Sequence, residues 1–326
     1  MAPFWALSRL PMRVLYVLSD IIWLLVYHVV RYRRRLVRRQ LRESFPEKEE
    51  GEINLIERRF YHFLCDYFME TLKLISMPHE EILRRVRFYG LNEAQVEMKR
   101  LGRQFVFFYL GHYGNWEWIA SYSLLLHKDV KGAQIYHPLR NKTMDDFFLR
   151  LRSQFGGVCI PMKETLRQVL TVRGEGRMEA IGFIADQSPK WEAMHHWTRF
   201  LNHDTSFFIG TEKIGKQVDA CIYYVRVTRP CRGRYDCHIE PISTNPKEMP
   251  DFEITDRYAQ LLEEQIREEP ELWLWTHNRW KRTKEEWLNV RPGEGPPRCR
   301  APGLPCRSPA ASPPGSAPCG AGSRPR

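Results

Sequence analysis

One short stretch holds the residue types that proton-transfer chemistry needs: Gly111-His112-Tyr113-Gly114-Asn115-Trp116-Glu117. It follows the apolar run QFVFFYL (104–110) and opens a helical pattern over 115–127. On a continuous helix, positions five apart point about 140° away from each other. The two glycines instead place His112 in a turn and Glu117 in the first helical turn, which can bring the carboxylate back to the imidazole. A carboxylate that accepts Nδ1–H fixes the tautomer and leaves Nε2 as a general base. It also stabilises the imidazolium that forms, and the adjacent helix N-terminus suits a developing oxyanion. The same residues would equally serve as a structural histidine–carboxylate pair. The chain has no GxSxG elbow, HExxH helix, Walker loop or GxGxxG. Those absences disfavour serine hydrolases, zincins and nucleotide enzymes. They leave a histidine that activates a hydroxyl of the substrate itself.

The elements that must position this loop alternate in type. Strand patterns fall at 104–110, 133–137, 157–160, 180–185, 219–227 and 234–242, and helical patterns at 115–127, 142–155, 162–172, 206–217 and 254–268. Upstream, 51–77 carries a helical apolar stripe from Leu55 to Ile75. The expected fold class is α/β, a mostly parallel central sheet flanked by helices. In such sheets ligands bind beyond the carboxyl ends of the strands, which selects GHYGNWEW and the loop DQSPK after 180–185. Asp186 and Gln187 therefore either line the cleft or cap their loop. Arg152 reads as a solvated helix face or a phosphate contact. His195, His196 and His203 lack metal-ligand spacing and suit a loop lining the substrate. The Trp273–Trp280 segment reads as core, with Arg279 and Lys281 free to meet phosphate or an acidic protein. Phe207–Gly210 suits the border of an apolar channel or the core.

The chain has 326 residues, 50 Lys+Arg against 39 Asp+Glu, and a net charge of +11. That charge is unevenly placed. Residues 1–43 hold nine Arg against Asp20 and Glu43, and 291–326 hold six Arg against Glu294, leaving 35 basic and 36 acidic side chains between them. A near-neutral body disfavours nucleic acid as a partner. Residues 14–30 form an apolar run of 17, followed by seven Arg from Arg31 to Arg42. An apolar helix with an Arg-rich flank (1–43) reads as a membrane anchor facing anionic lipid. Whether it spans or lies in the interface stays open. The 291–326 tail has ten Pro and six Gly and reads as disordered, leaving 44–290 as the folded body. The five body cysteines show no CxxC pair, and Cys231 with Cys237-His238 is a weak zinc pattern. No metal site is expected.

The H-x4-E of GHYGNWE resembles the signature of the late acyltransferases of lipid A biosynthesis, the HtrB/MsbB lauroyl/myristoyl family with a lysophospholipid- and glycerolphosphate-acyltransferase-like fold. The resemblance covers about residues 7–288. It includes YRRRLVRRQLRESFPEK, FYHFLCDYFMETLKL, YHPLRN (136–141), FFIGTEKIGK (207–216) and PELWLWTHNRWKR (270–282). The wording of 186–216 looks most like the branch of Bacteroidetes-type bacteria.

The resemblance implies a membrane-associated O-acyltransferase on the cytoplasmic face of the bacterial inner membrane. His112 and Glu117 would be catalytic, with Glu117 orienting His112. The imidazole would deprotonate the 3-hydroxyl of an acyl chain on a lipid A precursor. That oxygen would attack the thioester of acyl-acyl-carrier-protein, with no acyl-enzyme. No cofactor is implied beyond the acyl-carrier co-substrate. Implied partners are acyl carrier protein, the precursor and anionic lipids. Where many members read YRP, this chain has Tyr136-His137-Pro138, so Arg140 is the replacement expected at the phosphate or donor. Asp186, Gln187 and Arg279 complete the expected substrate contacts. The rival readings are an acyltransferase for another amphiphile, such as an aminolipid or mannosylated phospholipid, and a non-catalytic membrane adaptor. The presence of both His112 and Glu117 disfavours the adaptor.

Overall fold

Four helices come first: α1 (Ala2–Ser8), α2 (Met12–Leu24), α3 (Arg34–Ser44) and α4 (Glu50–Lys73), with a π-helical stretch Leu25–Val30 extending α2. The computed structural model describes residues 2–290; the expected tail 291–326 lies outside the described residues. α4 is the central strut. It starts with a reciprocal cap, in which the Glu49 and Glu52 side chains accept from each other's backbone N–H. Its buried charged residues serve as docking points for neighbours. Glu57 accepts from Arg34 and Arg38 of α3, both at 2.7 Å. Lys73 donates to the carbonyls of Ser8 and Leu10 at 3.1 Å. Asp66 accepts from Ser19 of α2 at 2.7 Å.

These contacts revise the reading of the Arg-rich flank. Arg34 and Arg38 close on Glu57, Arg42 on Glu50 and Arg33 on the Thr276 carbonyl. Much of the cluster clamps α3 to the body, because a buried carboxylate such as Glu57 needs paired donors. Arg9, Arg13, Arg31 and Arg35 remain turned outward.

The rest of the chain builds the sheet: α5 (His79–Arg85), β1 (Val86–Tyr89), α6 (Leu91–Arg100), β2 (Phe105–Leu110), α7 (Trp116–Ile119), β3 (Val130–Tyr136), α8 (Lys142–Ser153), β4 (Val158–Pro161), α9 (Thr165–Gly174) and β5 (Met178–Ile184). There follow β6 (Trp197–Phe200), β7 (His203–Ser206), α10 (Gly210–Val218), β8 (Cys221–Cys231), β9 (Arg234–Ser243), α11 (Glu253–Glu268) and α12 (Lys284–Val290). The seven-stranded order is β1-β9-β8-β2-β5-β3-β4. Every neighbouring pair is parallel except the β8–β9 hairpin. The α/β expectation holds. Central β2 is buried at all six positions, as its unbroken FVFFYL predicts for a strand covered on both faces.

Three departures have local causes. The helix expected over 115–127 is one α-turn, α7, followed by a 3₁₀ stretch Ala120–Leu125. This winding places the Tyr122 hydroxyl on the carbonyls of Ala133 and Ala180, the latter at 3.0 Å. β1 is only four residues and takes its place by pairing with distant β9. The β6–β7 hairpin turns through Leu201 and Asn202, both at positive φ, and its strands are too short to show periodicity.

Candidate active site

β2 and β5 are adjacent, parallel and in register, with Leu110 opposite Ile184. Two residues beyond each, His112 and Asp186 emerge side by side at the carboxyl end of the sheet. Gly111 lets α11 pack closely, because a Cβ there would lie 2.7 Å from Leu262 Cδ1 and push that side chain aside. Gly114 turns the chain at φ +59°, a conformation that glycine adopts without strain.

The carboxylate that meets His112 is Asp186, not Glu117. His112 Nδ1 lies 2.6 Å from Asp186 Oδ1, and the His112 backbone N–H donates to Oδ2 at 2.9 Å. Trp273 Nε1 donates to the same Oδ2 at 2.8 Å. Asp186 is 2% exposed. Burial pushes its carboxyl up, but the charge and hydrogen bonds of His112 and the Trp273 bond outweigh that and hold it at about 2. An ionised Asp186 makes Nδ1 the donor. In the neutral ring Nε2 is then the acceptor, 3.3 Å from the Gln187 amide nitrogen, with the ring bordering the cavity. This is a tautomer ready to accept a proton.

Glu117, buried, accepts two hydrogen bonds from Arg152 of α8, at 2.8 and 2.6 Å. The expected contact from Glu117 to His112 is thus replaced by an Arg152 clamp. Arg152 is not on a solvated face. Phe148, Leu151 and Arg152 share one side of α8, with Phe155 buried just beyond its end, and the guanidinium lies over Phe148 at 5.3 Å. Burial disfavours its charge, but Glu117 more than compensates and raises its pKa. Arg152 and Glu117 both border the cavity beside His112. The apolar positions at i, i+3 and i+7 around Arg152 are the signal in the sequence that marks it as inward.

The cavity measures about 880 Å³. Its floor is one face of the sheet, with Phe88, Phe108, Gly182, Val225 and Ile239 among its lining residues. The lining also holds His137, Lys163, Lys190, Lys281 and Arg282, against Glu117 and Glu192. The other expected residues divide. Gln187 lines the cavity and Asp186 braces it from beneath, whereas Arg140 is exposed on the turn before α8 and does not line it. Arg279 does not reach it either. It is 2% exposed, donates to the Ser206 carbonyl at 2.6 Å and lies over Phe207 at 4.9 Å. Burial drops its pKa to about 10. The charges that meet the cavity are its neighbours Lys281 and Arg282.

The histidine-rich loop is not part of the lining. His196 bonds Asp256 at 2.7 Å, and His203 stacks on Trp280 at 3.9 Å. Of the 207–210 run, Phe208 borders the cavity while Phe207 is core. Cys237 is buried and Cys231 exposed, and among the described residues the ligand atoms of Cys231, Cys237 and His238 do not gather into a metal-sized group. Asp20, His62 and Asp66 offer ligand atoms within 4.8 Å of one another. Arg232 occupies that space, with Nη2 2.7 Å from Asp20 and Nε 2.9 Å from Asp66.

The Trp-rich segment has a role that residue types alone did not disclose. Leu274 N–H donates to the His112 carbonyl at 3.1 Å, and Gly114 N–H to the Leu272 carbonyl at 3.0 Å. Residues 272–274 therefore run alongside the histidine loop, and Trp273 secures Asp186. Gln40 of α3 fastens the segment, donating to the Trp275 carbonyl at 2.8 Å and accepting from Arg279 N–H at 2.9 Å.

No curated protein shows a significant sequence match to the chain. The profile of one family, described as bacterial lipid A biosynthesis acyltransferase, does match, over residues 1–282. That span contains the histidine loop, both carboxylates, Arg152, the cavity and the Trp-rich clasp. The chain belongs to the bacterial lipid A biosynthesis acyltransferase family and is an acyltransferase.

Proposed function

We propose that the chain transfers a fatty acyl group from acyl-acyl-carrier-protein to a hydroxyl of a lipid A precursor, with His112 as general base. The observation that carries this is the His112–Asp186 pair at an apolar cavity of about 880 Å³. Nε2 takes the proton of the acceptor's 3-hydroxyl and the freed oxygen attacks the thioester carbonyl. The C–S bond breaks, and the imidazolium returns the proton to the leaving thiolate. Asp186 stabilises the imidazolium between these steps. Arg152, held by Glu117, offers its guanidinium to the developing oxyanion or to a phosphate of the acceptor. The lysines and Arg282 of the lining suit an anionic headgroup, and the sheet face suits an acyl chain. The test is mass spectrometry of lipid A from cells with and without the gene. One acyl group fewer without it supports the reading, and an unchanged acyl count overturns the substrate.

Gly182 offers a second test. A Cβ at this floor position meets nothing closer than 3.9 Å, so a larger side chain extends into the cavity. The Gly182→Leu enzyme is expected to fold and to prefer shorter acyl donors. A donor-length profile like that of the wild type, measured by competition between acyl-carrier thioesters, would mean that the chain lies elsewhere.

Attachment to the membrane interface accounts for the N-terminus. Met12–Val30 is the one helix among the described residues long and apolar enough to cross a bilayer. Its two sides differ. Met12, Leu15 and Ser19 are buried against the body, whereas Val14, Val17, Ile21, Leu24 and Leu25 form an outward stripe. With Ser19 bonded to Asp66 and Asp20 to Arg232, crossing the bilayer would strip these polar contacts. Lying in the interface keeps them and buries the stripe in lipid. The variant Val17→Lys with Ile21→Lys is expected to bind anionic vesicles roughly 10²-fold less tightly, since two apolar side chains kept out of lipid forfeit about 3–6 kcal/mol, of which the added lysines recover about 2 at an anionic surface. Flotation indistinguishable from the wild type would move the attachment to another surface. Inner-membrane, cytoplasmic-face residence follows if the donor is the cytoplasmic acyl carrier.

A further inference from the structure

Glu70 of α4 is a fully buried carboxylate outside the catalytic cavity, and three donors from three different parts of the fold converge on it. Tyr16 of α2 donates its hydroxyl to Oε1 at 2.9 Å. Tyr235 of β9 and the Asn115 amide of the histidine loop donate to Oε2, at 2.7 and 2.9 Å. Arg229 of β8 stands 3.8 Å away. Burial raises the pKa of Glu70, and Arg229, Asn115 and Tyr235 oppose the rise.

Asn115 does two things at once. Its amide nitrogen holds Glu70, and its Oδ1 accepts from Trp118 N–H at 3.2 Å, capping α7. Trp118 is itself tied to the Glu70 backbone, with Nε1 3.0 Å from its carbonyl. The segment from His112 to Glu117 is thus fixed at its far end by one side chain of α4. That same side chain is gripped by the helix whose outer stripe faces lipid.

We infer that Glu70 is a positioning residue and that Tyr16 couples seating of the lipid-facing helix to the geometry of the histidine loop. The inference rests on the reading of His112 as general base and of α2 as the interfacial helix. α2 is then part of the catalytic scaffold as well as an attachment device. Displacing it frees Glu70 Oε1, loosens Asn115 and lets His112 and Glu117 drift from their partners. A displacement of about 1 Å in a reacting group is enough to cost on the order of 10²-fold in rate.

The test is Tyr16→Phe, which keeps the ring and removes only the hydroxyl, with Glu70→Gln as the stronger variant. Three quantities are read: kcat and KM in detergent, flotation with anionic vesicles, and amide hydrogen exchange across 112–119 without substrate. The expected result for Tyr16→Phe is a kcat lower by on the order of tenfold, an unchanged KM, unchanged flotation and faster exchange across 112–119. Wild-type kcat with wild-type exchange overturns the coupling. So does a loss of flotation with full activity in detergent, which would make Tyr16 an attachment residue alone. Exchange needs no turnover. If the wild-type enzyme moves no acyl chain, the proposed reaction fails while the coupling still stands or falls on the exchange data. Should Glu70→Gln not fold, Tyr16→Phe decides the matter by itself.

Discussion

Replacing His112 with alanine is expected to lower acyl transfer by about 10²–10⁴-fold, the range a general base contributes, with vesicle binding unchanged. The basis is geometric. His112 Nδ1 is committed to Asp186, so Nε2 is the nitrogen left to receive the acceptor proton. The ring is 19% exposed in its side chain, and its loss leaves the sheet and the clasp of residues 272–274 in place. Those contacts run through the backbone of His112 and Gly114. Transfer assayed with acyl-acyl-carrier-protein and a 3-hydroxyacylated acceptor checks this. Full activity would remove the mechanism.

Asp186→Asn should cost nearly as much, about 10²–10⁴-fold in kcat, because amide replacement in such pairs reverses the tautomer. Two donors, the His112 backbone N–H and Trp273 Nε1, converge on Oδ2. The asparagine must keep its oxygen there, which turns its NH₂ toward Nδ1. The imidazole then carries its proton on Nε2 and can no longer act as base. Nitrogen NMR of the imidazole reports the exchange of tautomers, and kinetics should place the loss in kcat with KM little changed. Glu117→Gln gives the contrast. It weakens the Arg152 clamp but leaves the tautomer of His112 as it is. If Glu117→Gln reversed the tautomer and Asp186→Asn did not, the assignment of partners would be overturned. The pH consequence has a definite sign. Asp186 is depressed from 3.8 to about 2. Its contribution to stability is therefore fully present above about pH 4 and is lost as pH falls through about 2.

The fold class was legible because strands such as FVFFYL are apolar at every position and alternate with amphipathic helices. The histidine was legible because it sits between two glycines at a strand end. Its partner was not. Glu117 is five residues away and Asp186 is 74, and only the in-register pairing of β2 with β5 makes the distant one the neighbour. The reading of Arg279 failed for a related reason. Composition marks a basic residue as a phosphate ligand, but the turn after Trp275 points Arg279 into the Phe207 core and gives the cavity to Lys281 and Arg282. The arginines of α3 misled in the same way, since Glu57, buried on α4, takes two of them.

By itself, then, the sequence determined six of the seven strands of the main sheet, where the sheet's carboxyl ends lie, that His112 stands at one of them, and that residues 14–30 are apolar enough to meet lipid. Periodicity, glycine placement and composition are local properties, and a chain carries them without folding. The tertiary structure alone decided which carboxylate holds the imidazole, which arginine holds Glu117, and which way the apolar helix faces. It also brought Tyr16, Glu70 and Asn115 together. Those are choices among several residues of the same type. They are settled by strand register and by which buried charge must find a partner, neither of which is written in any one stretch of the chain.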